Sequence, residues 1–289
     1  MRILLTGSSG QLGTDFRLVA GPEHEVVAHD IDLDITNRAA VALRVAEVRP
    51  DVVVNAAAYT NVDGAEADEI AAYRVNALGP QNLALACQGA GVPLAHVSTD
   101  FVFSGESDVP YTEFDLPDPR GVYGKSKYAG EQYVAGLLDN FYICRTSWLY
   151  GVGGGNFVKT MLAAGRERDE VRVVDDQEGS PTYSRDLAVK ILQIIETGAY
   201  GYYHLSNRGS ITWNRFTKDI FEIAGISTPV LPISTAELAR PAPRPRYSTM
   251  RGLALEIAGM EPMRPYREAL EQFILEDLPA SVEGTGGAQ

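Results

Sequence analysis

The strongest constraint on this chain lies in its first twenty residues. Arg2-Ile3-Leu4-Leu5-Thr6 is a short apolar run and reads as a buried strand. Gly7-Ser8-Ser9-Gly10-Gln11-Leu12-Gly13 follows at once, and Gln11–Ala20 has helical spacing. Strand, glycine-rich turn and helix in immediate succession make a phosphate-binding unit. The first glycine forms the turn, the second admits backbone close to a phosphate, and the third lets the helix pack on the strand. The orphan amides and positive dipole end of that helix then face the anion. The spacing is G-x-x-G-x-x-G and not G-x-G-x-x-G, but its place directly after a strand assigns it to a dinucleotide. Gly7, Gly10, Gln11, Leu12 and Gly13 are the candidate contacts.

The same alternation continues. Strands are expected at Glu25–His29, Asp51–Asn55, Pro93–Val97 and Phe141–Arg145, with helices at Arg38–Val48, Ile70–Gly89 and Tyr123–Leu138. This pattern predicts an α/β fold, a Rossmann-like doubly wound parallel sheet, with ligand loops at the carboxyl ends of its strands. Residues 1–150 form the NAD(P)-binding domain on this reading. Residues 151–281 form a smaller, irregular α/β substrate-binding lobe, some of whose elements return to the first. Helices are expected near 156–167, 184–197, 212–224 and 264–276, and 282–289 read as a disordered tail.

Net charge is −13, which argues against nucleic acid or an anionic membrane as partner. No apolar run approaches the ~18 residues of a spanning helix. The N-terminal apolar stretch is too short for a signal peptide. Cys87 and Cys144 sit in apolar segments, and two buried thiols point to a reducing, cytoplasmic setting. His24, His29, His96 and His204 have no metal-ligand spacing, so no metal site is read here. Six arginines fall between Arg240 and Arg267 against two glutamates, a local charge of +4 and a candidate phosphate site.

Chemistry is carried by Tyr123 and Lys127. Four residues apart on a helix, they share a face, and an ammonium beside a phenol favours tyrosinate and lowers the phenol pKa. Strand two ends at Asp30, a carboxylate suited to adenosine ribose hydroxyls and repellent to a 2′-phosphate, which tilts the cofactor toward NADH. Asp34 and Ile35 flank adenine. Ala56-Ala57-Ala58-Tyr59-Thr60 ends strand three with small residues that let backbone approach a ligand. Thr99, with Ser98 as its competitor, places a hydroxyl in the same crevice to fix a substrate carbonyl.

Together these residues resemble the extended short-chain dehydrogenase/reductase superfamily, and within it the dTDP-4-dehydrorhamnose reductase family. The resemblance rests also on Ser98-Thr99-Asp100-Phe101-Val102-Phe103, Arg145-Thr146-Ser147-Trp148, Asp176-Gln177-x-Gly-x-Pro181-Thr182 and Arg244-Pro245-x-x-Ser248. It implies a catalytic trio of Thr99, Tyr123 and Lys127, and reduction by NADH or NADPH of the C4 ketone of dTDP-4-dehydro-6-deoxy-L-mannose to dTDP-L-rhamnose. Lys127 would also hold the nicotinamide ribose. Thr99, Asp100 and Trp148 would meet the sugar, and Arg244 its diphosphate. Some members are dimers linked by Mg²⁺ through acidic residues; Asp15 is acidic, but the sequence completes no such site, and monomer and homodimer both stay open. Two other readings stand beside this one. One is a reductase of another dTDP-4-keto sugar, such as a dihydrostreptose precursor. The other is a non-catalytic dinucleotide-binding regulatory subunit, which the intact trio argues against.

Overall fold

The computed structural model describes residues 1–21 and 23–278. The tail expected at 282–289 lies outside the described residues. The first half reads β1 (Arg2–Thr6), α1 (Gln11–Ala20), β2 (Glu25–His29), α2 (Arg38–Val48), β3 (Val52–Asn55), α3 (Val62–Ala67), α4 (Glu69–Tyr73), α5 (Gly79–Ala90), β4 (Leu94–Thr99), α6 (Val122–Leu137) and β5 (Phe141–Thr146). The second half carries β6 (Leu149–Tyr150), α7 (Phe157–Glu167), β7 (Val171–Val174), β8 (Glu178–Gly179), β9 (Thr182–Tyr183), α8 (Ser184–Thr197) and β10 (Gly201–His204). It continues with β11 (Ile211–Thr212), α9 (Trp213–Ala224), β12 (Val230–Ile233), α10 (Thr235–Leu238), α11 (Leu253–Ile257) and α12 (Tyr266–Gln272).

Six strands form one parallel sheet in the order β10-β5-β4-β3-β1-β2. Alternation along each strand divides its residues between two cores. Ile3, Leu5, Val52, Val54, Tyr142 and Cys144 face α1 and α8, while Leu4, Val53, Leu94 and Ile143 face α2, α5 and α6. Burying each such aliphatic side chain contributes roughly 1.5–3 kcal/mol, which is why the strands read as continuous apolar runs. Strand order reverses between β1 and β3, so a crevice opens there at the carboxyl ends.

Elements from beyond residue 150 return to this layer, among them β10, α8 and, through Leu255, α11. β10 adds the edge strand beside β5, and Leu187, Ile191 and Ile194 of α8 pack with Phe16 of α1. The rest of the second half has its own core around Val158, Leu162, Phe216, Ile220 and Phe273. Among the described residues, the remaining strands there pair only in twos, β6 with β9, β7 with β12 and β8 with β11.

The single helix expected at Ile70–Gly89 is instead α4 and α5 joined by a widened turn, Arg74–Leu78. Its cause is Asn76. That amide accepts from Tyr59 N (2.8 Å) and donates to Tyr59 O (3.0 Å) and Ser126 Oγ (3.1 Å). A widened turn aims such a side chain out of register with its neighbours. Here it ties the loop after β3 to α6. α6 lies close because Gly130 has no side chain: a Cβ there would come within 2.2 Å of Asn76 O.

Candidate active site

The crevice at the β1/β3 reversal is a cleft of about 650 Å³. Gly7, Gly10, Gln11, Leu12 and Gly13 line it together with Asp30, Asp34 and Ile35 after β2 and Ala56, Ala57, Ala58 and Thr60 after β3. Thr99, Asp100, Tyr123, Lys127 and Trp148 line it as well. Two residues expected here are elsewhere. Tyr59 is anchored through its backbone to Asn76 and does not line the cleft, and neither does Arg244.

The glycine turn fits a pyrophosphate. Gly7 has φ +70°, and a Cβ at Gly13 would lie 2.2 Å from Gly7 O, so larger residues would break the turn. α1 is capped by Gly10, whose lack of a side chain leaves the first helical amides open to an anion. The opposite wall is the Gly151–Gly155 loop of the second lobe. Gln11 Nε2 donates to Gly155 O (3.4 Å), and Lys159 Nζ donates to the carbonyls of Val152 and Gly154 (2.5 and 2.9 Å). Gly154 and Gly155 thus line the cleft, a contribution that a loop read only as glycine-rich did not reveal.

Tyr123 stands on the first turn of α6. That helix begins where it does because Glu66 of α3 accepts from Val122 N (2.8 Å), and because Gly124 lets the helix approach the turn that follows β4. A Cβ at Gly124 would meet Phe101 O at 2.2 Å. The Phe101 ring meets Tyr123 edge-on at 5.4 Å. Thr99 ends β4, donating to Asp100 Oδ1 (3.0 Å) and accepting from Phe101 N (3.2 Å). Ser98 Oγ and Thr146 Oγ1, also in the cleft wall, are buried polar atoms with no protein partner, as expected of a site that holds a polar ligand.

The electrostatics correct one expectation. Burial pushes the Tyr123 phenol up to about 12, against the Thr99 hydroxyl, which lowers it, and with Asp100, which raises it. Lys127 does not offset this, because its Nζ donates to Val97 O (2.6 Å). Burial also pushes Lys127 down to about 8, opposed by Glu131 one turn further along α6. Asp100 rises to about 6 through burial, opposed first by the Ser248 hydroxyl and then by Thr99.

Two further expectations are corrected. Arg244 is not free for a phosphate. Its guanidinium grips Asp63 of α3 at 2.5 and 2.9 Å and donates to Ala242 O (2.7 Å). Nor is the arginine patch a charge surplus: Arg240 also pairs with Asp63, Arg246 with Asp108, Arg251 with Glu256, Arg264 with Asp186 and Arg267 with Glu222. Asp15 is buried at the α1/α8 contact, where Ser184 Oγ donates to it, and among the described residues no cluster of three or more His, Cys, Asp or Glu is placed to hold a metal.

A parallel sheet with a glycine turn at its reversal point, facing a Tyr-x-x-x-Lys helix and a strand-end threonine, defines a nucleotide-cofactor oxidoreductase of the short-chain type. The chain belongs to the family described as RmlD substrate binding domain, whose model matches residues 1–278. It is 44% identical to a dTDP-4-dehydrorhamnose reductase of Streptomyces griseus, covering 94% of this chain and 92% of that one. It is 41% identical to a dTDP-4-keto-6-deoxy-D-glucose reductase of Streptomyces niveus, covering 94% and 96%. Among solved structures, a dTDP-4-dehydrorhamnose reductase from Bacillus anthracis in complex with NADP superposes with a TM-score of 0.94 at 46% identity, covering 95% and 99%.

Proposed function

We propose that this chain reduces the C4 ketone of dTDP-4-dehydro-6-deoxy-L-mannose to the alcohol of dTDP-L-rhamnose, using NADH or NADPH. The observation that carries this reading is the convergence of Thr99, Tyr123 and Lys127 at one end of a cleft whose other end is a pyrophosphate turn. The dinucleotide, when bound, supplies the hydride. Thr99, turning its one hydroxyl proton from Asp100 Oδ1 to the substrate, donates a hydrogen bond to the ketone oxygen and so orients the carbon beneath it. Tyr123 donates its proton to that oxygen as negative charge gathers there. An alkoxide is far more basic than a phenolate, so a phenol near pKa 12 still gives up its proton to it. Lys127, charged below about pH 8 and held by Val97 O, offers its remaining protons to the ribose. Asp100 and Trp148 border the sugar end.

The reading is tested by incubating purified protein with dTDP-4-dehydro-6-deoxy-L-mannose and either cofactor, following absorbance and identifying the sugar product. dTDP-L-rhamnose supports it, and no cofactor oxidation defeats it. A second reading has the relative from Streptomyces niveus behind it, since that enzyme is named for a different 4-keto sugar at nearly the same identity. The same assay with dTDP-4-keto-6-deoxy-D-glucose separates the two by kcat/KM.

A further inference from the structure

The chain has two tryptophans, Trp148 and Trp213, and the fold stacks them face to face. Their ring centroids lie 3.4 Å apart with planes within 5°. Trp148 lines the sugar end of the cleft; Trp213, at the start of α9, does not. The Trp148 backbone has φ +46°, a region that bulky L-residues rarely occupy. Two features hold it there. Trp213 covers one face of the indole, and Gly179 makes room for it, since a Cβ at 179 would lie 2.6 Å from the ring. Trp213 is itself fixed. Phe157 packs on it at 4.4 Å, and Thr212 caps α9 through Arg215 N while its own hydroxyl donates to Asp175 (2.5 Å).

We propose that Trp213 is a positioning residue for the sugar: by stacking on Trp148 it fixes the plane of the indole that the sugar ring meets, and so helps set which 4-keto sugars the cleft accepts. This rests on the function proposed above. With its partner removed, an indole on a disfavoured backbone is free to turn, and a turned indole changes the wall of the sugar site without touching Tyr123 or the glycine turn. The effect belongs in KM for the sugar nucleotide and in neither kcat nor cofactor KM. Aromatic pairs of this kind correspond to about three- to tenfold in an equilibrium constant.

Trp213→Phe keeps a stacking ring, and Trp213→Leu keeps apolar bulk without one; Trp213→Met replaces the latter should it not fold. In each variant Trp148 is the sole tryptophan, so its emission anisotropy reports on that indole directly. We expect Trp213→Leu to raise sugar-nucleotide KM about three- to tenfold with kcat within about twofold, and to lower Trp148 anisotropy relative to Trp213→Phe, which stays near wild-type KM. An unchanged KM in Trp213→Leu overturns the proposal. So does an equal loss in the Phe and Leu variants, or a parallel loss in kcat and cofactor KM. Should the wild-type chain reduce no dTDP-4-keto sugar, the proposed function falls, and the anisotropies alone decide the role of Trp213: lower in Leu than in Phe supports it, equal values overturn it.

Discussion

A phenol raised to about 12 by burial and an ammonium lowered to about 8 leave a window in which both carry their protons. Catalysis by the trio therefore predicts full activity at neutral pH and a falling alkaline limb as Lys127 loses its charge near pH 8. Lys127→Met removes that limb along with most of the rate, measured as the pH dependence of kcat/KM. Tyr123→Phe keeps the ring against Phe101 and loses only the proton. General acid catalysis is typically worth ~10²–10⁴-fold, so kcat should fall at least a hundredfold while dinucleotide binding, followed by fluorescence titration, stays within about twofold. At the adenine end, Asp30 lines the cleft and its backbone N–H donates to Asp32 Oδ1 (2.7 Å). A 2′-phosphate there meets like charge, so Asp30→Ala should shift the NADPH/NADH ratio of kcat/KM toward NADPH by about tenfold or more. An unchanged ratio would take Asp30 out of cofactor selection. The Tyr-Lys pair and the glycine turn were legible in sequence because their geometry is local. The rise at Tyr123 was not, since it comes first from burial, with Phe101 of another element packed on the ring, and then from the Asp100 charge.

Among elements, α6 depends on a network that no spacing announced. Glu131, one turn past Lys127, makes a fully buried pair with Arg145 of β5 at 3.0 and 2.7 Å. Arg145 also reaches His204 Nε2 of β10 (3.4 Å), and its guanidinium faces the rings of Phe103 and Tyr202. The four-residue strand β10 was hidden in sequence because Gly201-Tyr202-Tyr203-His204 is too short to declare itself without β5 beside it. The Arg-Thr-Ser-Trp motif, in contrast, was visible, although its arginine serves the scaffold. Burial, with Arg145 adding to it, pushes His204 down to about 3 from an ordinary 6.5. The unfolded chain therefore binds this proton first as pH falls. The stability due to neutral His204 is complete above about 6.5 and is lost on the way down to about 3. Between pH 7 and 5 that amounts to about 2 kcal/mol. Urea unfolding should show His204→Asn, although less stable at pH 7, losing about that much less over the same interval. Equal losses would mean that His204 is not held neutral.

Across the whole molecule, the lobes are joined by the segment 240–248, and the error in reading its arginines as a phosphate site has a physical source. A local charge sum cannot see partners that lie far off in sequence: Asp63 is 181 residues from Arg244, and Asp108 is 138 from Arg246. The segment runs as a strap between lobes. Arg244 and the Ala242 amide hold Asp63 of α3; Tyr247 N donates to Gly105 O (3.1 Å); Ser248 N donates to Glu178 O (2.8 Å). It delivers Ser248 to Asp100 beside Thr99. Asp63 and Arg244 keep only 26% and 18% of their side chains exposed, so breaking the pair strands a charge with little water to solvate it. A charged hydrogen-bonded pair of this kind, discounted for its partial exposure, should be worth about 1–3 kcal/mol. As a tie, Arg244→Ala and Asp63→Ala should each lower stability by about that amount, and the double variant should lose hardly more than either alone. Both single variants should raise sugar-nucleotide KM alike, because both loosen the strap behind Asp100. A phosphate ligand behaves otherwise: Arg244→Ala alone would weaken the sugar nucleotide, Asp63→Ala would leave it intact or tighten it by freeing the guanidinium, and stability losses would add. Thermal melts and sugar-nucleotide KM for the four proteins of that cycle decide between a strap and a phosphate grip.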